Sequence, residues 1–141
     1  MNIKYLSKLK IVFVEKKNRK PIFHSKFVLY RFFSLLGSSF IDALGLYDQN
    51  NVTLLTSPSG RSFIRVGEKS NRRRSNKIHY NCFVNGNYCS CFSFMFNFIQ
   101  FEKQLWCKHL LVAKLAMATG QFNTQIIQED DYGEIYRQTF M

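Results

Sequence analysis

Tyr88-Cys89-Ser90-Cys91, then fifteen residues, then Cys107-Lys108-His109-Leu110-Leu111, is the most informative stretch of this 141-residue chain. Three thiols and one imidazole are all good ligands for Zn2+, and Cys3His is a common structural set. On a strand, residues i and i+2 point to one side, so Cys89 and Cys91 can face one ion. Lys108 to Thr119 is the most helical stretch, rich in Ala and Leu, with Gly120 as its stop. Cys107 and His109 straddle its start, where unpaired N–H groups and the positive dipole end favour thiolate. The spacing therefore predicts Cys89, Cys91, Cys107 and His109 as a tetrahedral site pinning a strand tip to a helix start. Three thiolates on a dication leave a formal charge of −1, and Lys108 is placed to offset it.

Other chemistries use these residues less fully. Inert buried thiols would leave the grouping to accident. Two disulfides would leave His109 unexplained, and residues 1–20 are interrupted by Lys throughout, unlike a signal peptide. Reduced thiols in a cytosolic or nuclear setting follow. A catalytic zinc keeps one position open, whereas four ligands close the shell. The C-x-x-C of zinc deaminases is absent. A Cys-His nucleophile pair lacks a third member. Cys82 reads as a buried strand thiol near the finger, with a spare metal ligand as the other reading, and His24 and His79 have no ligand-type companions nearby.

Upstream, the apolar positions Phe27, Val28, Phe32, Leu35 and Leu36 fit one helical face, with Gly37 as a stop. Ser38 or Ser39 offers an N-cap for a second short helix, Phe40 to Leu46, with Asp42 in its first turn. Val52–Thr56 and Arg61–Val66 flank Ser57-Pro58-Ser59-Gly60, a hairpin whose Pro presets φ early and whose Gly supplies positive φ late. Residues 67–77 contain nothing apolar and read as a surface loop. Ile78–Val84 is a third strand, and Asn85-Gly86 is a strong hairpin signal towards Tyr88. Phe92 to Phe101 fits a strand or a helix equally. With Trp106 it is too apolar for one small core face, so part of it is a candidate protein interface.

Composition sets the outer bounds. Hydrophobic residues are 46% and aromatic residues 16%, with two prolines, which excludes a disordered or collagenous chain. No apolar run reaches the roughly 18 residues of a membrane span. Lys and Arg number 20 against 9 Asp and Glu, a formal +11 that points to a polyanionic partner. The charge lies in two blocks, residues 1–20 and 61–77, while the end reverses sign at Glu129, Asp130, Asp131 and Glu134. Arg72, Arg73, Arg74 and Lys77 are candidate phosphate contacts, against a nuclear import patch or a solvated loop. Tyr80, Phe83 and Tyr88 are candidate base-stacking or core aromatics. The expected organisation is a basic N-terminal segment, 1–26; one α+β domain, 27–120, with the finger at about 78–120; and an acidic C-terminal tail, 121–141. Two N-terminal helices precede a small antiparallel sheet of two hairpins, and the finger leads into a final helix.

C-x-C, a spacer, C-x-H, then Leu-Leu and an Ala-rich helix resembles the SWIM-type zinc finger. Phe33 to Ser39, Ala43-Leu44, Val52 to Leu55 and Ser57 to Arg61 extend the resemblance to the small SWIM proteins of Shu-type complexes, over about residues 27–120. The resemblance implies a non-enzymatic, nuclear, zinc-binding subunit without membrane contact. It implies pairing with a RecA-like recombinase paralogue, and promotion of homologous recombination by supporting recombinase filaments on single-stranded DNA. It also implies Cys89, Cys91, Cys107 and His109 as the Zn2+ ligands. Phe92 stands where the finger often has Pro, and the Arg72–Arg74 loop is long and basic for the family. The basic charge alone supports another reading, a free-standing nucleic-acid-binding zinc finger protein.

Overall fold

Two α-helices, four strands, a π-helix, a third α-helix, a fifth strand and a last α-helix follow one another in the computed structural model, which describes residues 26–69, 77–100 and 105–140. Helix α1 (Lys26–Leu36) runs into α2 (Ser38–Asp48) through Gly37, whose φ of 60° turns the chain between them. The cap of α2 is Gly37 itself, with no side-chain cap bond. Ser38 and Ser39 are therefore helical, not caps, and Asp42 falls beyond the first turn. The sharp glycine corner leaves no extended residue in which a serine could cap. Leu29, Phe40, Ile41 and Leu44 form a small core between these helices, with Phe32 stacked on Phe40 at 5.6 Å.

The sheet has the order β4-β3-β2-β1-β5. Strands β1 (Val52–Thr56) and β2 (Ser62–Lys69) form the first hairpin, with Val52 opposite Val66 and Thr56 opposite Ser62. Gly60 takes a φ of 81° at its turn, as the Pro-to-Gly order requires. Strand β3 (Lys77–Phe83) pairs antiparallel with β2, and β4 (Tyr88–Cys89) with β3. The second hairpin sits where Asn85-Gly86 marks it, but its loop has four residues and its positive φ is at Asn87. The Asn87 amide bonds to the Val84 carbonyl, and a type I turn ending in a left-handed residue matches strand twist in such loops. Gly67, Glu68, Lys69 and Lys77, read from sequence as loop, are in strand, with Glu68 opposite Ile78. Sheet pairing overrides their polar character because an antiparallel strand may keep one face in water.

A π-helix (Phe94–Gln100) and then α3 (Lys108–Thr119) follow β4. Of the two readings of the Phe run, the helical one holds: Phe92 stacks on Phe96 and Phe94 on Phe98. Gly120 ends α3 at a φ of 69°. The chain then differs from the expected two hairpins and acidic tail. Strand β5 (Asn123–Ile126) pairs parallel with β1, making the sheet mixed, and α4 (Glu129–Phe140) closes the fold.

Strand alternation divides the core between the two faces of the sheet. Ile64, Val66 and Cys82 face α2 and α3, whose Ala43, Leu46, Leu110, Leu111 and Ala113 complete the larger core. Leu55 and Phe63 face the other way, under Ile127 and Tyr132. Burying each such large apolar side chain contributes about 1.5–3 kcal/mol. Tyr47 ties the larger side together, its hydroxyl bonding Thr119 Oγ1 at 2.9 Å and Gln121 Oε1 at 2.7 Å.

Candidate metal centre

Cys89 ends β4, Cys91 opens the turn that leads into the π-helix, Cys107 caps α3 and His109 lies in its first turn. All four are buried, and their ligand atoms lie within 4.8 Å of one another. The four residues singled out from spacing thus meet at one point. Two sulfurs accept backbone hydrogen bonds: the Leu110 amide donates to Cys107 Sγ (3.4 Å) and the Phe94 amide to Cys91 Sγ (3.3 Å). The Leu110 donor is a first-turn N–H group without a helical partner, whereas the Phe94 amide is shared with the Cys91 carbonyl at 3.1 Å. All four cysteines are free of disulfides.

The imidazole is held on its edge by Glu68 and on its face by Tyr80. His109 Nε2 lies 2.9 Å from Glu68 Oε2, and the second Glu68 oxygen takes Lys108 Nζ at 2.6 Å. The Tyr80 ring stacks on the imidazole at 4.1 Å between centroids. A carboxylate only accepts, so Nε2 carries a hydrogen and Nδ1 is the nitrogen whose lone pair can go to a metal. Nδ1 is buried and has no hydrogen-bond partner. An orphaned buried nitrogen beside three sulfurs is a donor that a metal ion would satisfy. Lys108, expected to offset the charge of the cluster, instead spends its charge on Glu68.

Electrostatics follow the same geometry. Burial disfavours the imidazolium, but the Cys107, Cys89 and Cys91 sulfurs and Glu68 outweigh it and push His109 up to about 12. Contact with Cys107, then Cys82, draws Cys89 below the usual thiol range. Cys82 is fully buried with its Sγ 3.6 Å from that of Cys89, and this contact followed by burial raises it well above that range. Cys82 is therefore the neutral strand thiol expected from sequence, donating towards a ligand sulfur. Burial raises Glu68, yet Lys108 and His109 prevail and leave it below the ordinary carboxylate value. The donor set fits a thiophilic dication such as zinc: soft sulfur, one imidazole and four ligands. Metal ligands must be deprotonated, so loading such a site releases protons.

Glu68 was missed from sequence, where it sat in an apparently featureless polar stretch. No local pattern marks it; its role depends on β2 running past the start of α3. Of the candidate nucleic-acid residues, Arg72, Arg73 and Arg74 lie outside the described residues, as does the Lys77 side chain, and so do His24 and the basic segment 1–20. The stacking candidates are engaged internally: Tyr80 with His109, Phe83 with Phe63, and Tyr88 with Phe140 at 4.4 Å. The Phe run divides as composition suggested. Phe94 is buried, while Phe92 is 78% exposed and Ile99 52%, with Met95 and Phe96 beside them. No described helix is long and apolar enough to cross a membrane.

These features define a class: an α+β protein built round a buried Cys3His cluster, Cys-x-Cys before the helix and Cys-x-His at its start. The chain is similar to proteins named zinc finger SWIM domain-containing protein 7. It is 38% identical to that of Danio rerio over 86 residues, 61% of this chain and 57% of the relative. It is 40% identical to that of Mus musculus over 82 residues, 58% of this chain and 50% of the relative. A homologue in Dictyostelium discoideum is 29% identical over 130 residues, 92% of this chain and 76% of that protein. The chain thus spans about half the length of the two vertebrate relatives. No family model matches the chain, and no solved structure matches it.

Proposed function

We propose that the protein is a non-catalytic, zinc-binding subunit of a Shu-type complex. It promotes homologous recombination in the nucleus by pairing with a RecA-like recombinase paralogue and supporting recombinase filaments on single-stranded DNA. The observation that carries this is the closed, buried Cys3His cluster in a chain similar to SWIM-domain proteins. Four protein ligands leave no position for a substrate, so zinc at Cys89, Cys91, Cys107 and His109 would crosslink β4 to α3 and supply no reaction. The exposed Phe92, Met95, Phe96 and Ile99 beside the cluster support a protein-binding role. The +11 charge supports contact with DNA made jointly with the partner.

The test is metal analysis of the pure protein, with co-purification of the tagged chain and partner identification. One zinc per chain and a recombinase-like partner, both lost in Cys107→Ala, is the expected result. A metal-free protein that keeps its fold and partner refutes it. The basic charge favours one other reading, a free-standing nucleic-acid-binding zinc finger protein. Tight, steeply salt-dependent single-stranded DNA binding by the isolated chain, with no partner recovered, would establish that reading instead.

A further inference from the structure

We infer that Glu68 is a positioning residue for the metal centre: it selects the His109 tautomer and aims Nδ1 at the ion. The inference rests on the metal-binding reading above and goes beyond it to a residue outside the finger, twenty-one positions before its first ligand. Glu68 Oε2 accepts from His109 Nε2 at 2.9 Å, which fixes the hydrogen on Nε2. Nδ1, the other ring nitrogen, is the buried one without a partner. A histidine that ligates through one nitrogen is commonly oriented by a carboxylate on the other, which also makes the ligating nitrogen more basic.

The surroundings fix the carboxylate in turn. Lys108 Nζ holds Glu68 Oε1 at 2.6 Å, so each Glu68 oxygen has one partner from the first turn of α3. The Tyr80 ring, from the next strand, lies on the imidazole and removes its remaining freedom to rotate. Glu68 is opposite Ile78 in the β2–β3 ladder, a paired position and not a loop tip. The centre is therefore assembled from three places, β4, the start of α3 and the far end of β2. The finger's four ligands do not account for the third.

The experiment compares Co2+ and Zn2+ binding by the full-length chain and by Glu68→Gln, Glu68→Ala and Lys108→Met. Affinity is read by chelator competition, and geometry from the Co2+ visible bands. The ligating nitrogen is read from His109 15N shifts in the Zn2+ form. Wild type is expected to bind through Nδ1 with a hydrogen on Nε2. Glu68→Ala is expected to bind about 10- to 100-fold more weakly and to show a mixture of Nδ1 and Nε2 ligation. Glu68→Gln retains an acceptor of the same shape, so it should keep the single tautomer and recover part of the affinity. Lys108→Met, which breaks only the ion pair, should stay within a few-fold of wild type.

Three outcomes overturn the inference: Glu68→Ala within twofold of wild type with an unchanged spectrum, Nε2 ligation in the wild type, or a Lys108→Met loss equal to that of Glu68→Ala. A wild-type chain that takes up neither metal refutes the metal reading itself. If Glu68→Ala fails to fold, Glu68→Gln against Lys108→Met still decides, because only the first alters what the imidazole faces.

Discussion

The two faces of the sheet are held by different physics. On the α3 face, Ile64 and Val66 pack in the ordinary way, but the corner is closed by directional groups: three sulfurs, an imidazole and Glu68. On the α4 face, Leu55, Phe63, Ile127 and Tyr132 pack without any such centre. The helix there is fastened at one end by Glu129, which takes Ser59 Oγ at 2.9 Å and pairs with Arg61, and at the other by Thr139, which meets Asn81 and Tyr88. Apolar packing is non-directional and tolerates small shifts, whereas a metal shell needs all its ligands at once. The first face should thus fail all at once and the second by degrees.

Metal removal is the largest expected effect. Structural zinc in finger peptides contributes an apparent ~10–16 kcal/mol, as much as the whole ~5–15 kcal/mol stability of a typical domain. Chelation, or Cys107→Ala, should therefore abolish cooperative unfolding of the α3 face, read by near-ultraviolet dichroism and amide exchange. Acid acts in the same direction, because protons compete with the ion for thiolate and imidazole, so metal affinity should fall as pH drops. An unchanged melting curve after complete chelation would break the contrast between the faces.

Phe63→Ala strikes the other face. The ring is 2% exposed, stacks on Phe83 at 5.5 Å and meets Tyr132 at 5.6 Å. Its loss should cost about 3–5 kcal/mol by the usual cavity effect, measured by denaturant unfolding of the metal-loaded chain. Metal affinity should stay within a few-fold. A tenfold fall would mean that the faces are coupled through β2.

The sequence reveals the first face far better than the second. Cys89, Cys91, Cys107 and His109 carry a spacing that only their chemistry explains, and α3 shows both its boundaries through Cys107 and Gly120. The hairpin at Ser57–Gly60 is equally visible, since a turn is a local event. Strand β5 is not: Asn123, Thr124, Gln125 and Ile126 are all exposed and show no apolar alternation. Their strand character comes from backbone bonds to β1, some seventy residues earlier. Helix α4 did leave a signal, with Glu129, Asp130 and Asp131 in its first turn and Tyr132, Ile135, Tyr136 and Phe140 on one face. Acidity alone, read as a solvated tail, hid that periodicity. Glu68 had no local signal, because what it does depends on a helix forty residues later.

A matched pair of glycines tests whether the faces also differ in small ways. Gly120 ends α3 at a φ of 69°, and Gly60 turns towards the α4 face at 81°. A Cβ would meet nothing within 4 Å at either site, so the cost of alanine is conformational alone. Each should lose about 1 kcal/mol in the metal-loaded protein. A clearly larger loss for Gly120→Ala would indicate that the end of α3 feeds strain back to the metal corner.

The smallest effect is expected at the fastening of α4. Arg61 and Glu129 are both well exposed, at 56% and 39% of their side chains, and exposed pairs are worth about 0.2–1 kcal/mol. Glu129 also sits at a helix start, where any acid is favoured, so a single Glu129→Gln change mixes two effects. A double-mutant cycle with Arg61→Met separates them: the coupling energy should be below about 1 kcal/mol and should shrink as salt is added. Arg61 also lies over the Tyr132 ring at 5.0 Å, a contact that salt should affect less. A loss from Arg61→Met that survives high salt in the Glu129→Gln background would therefore assign the fastening to the ring and the buried tyrosine. The α4 face would then owe its hold to packing throughout, which sharpens its contrast with the metal-bound side.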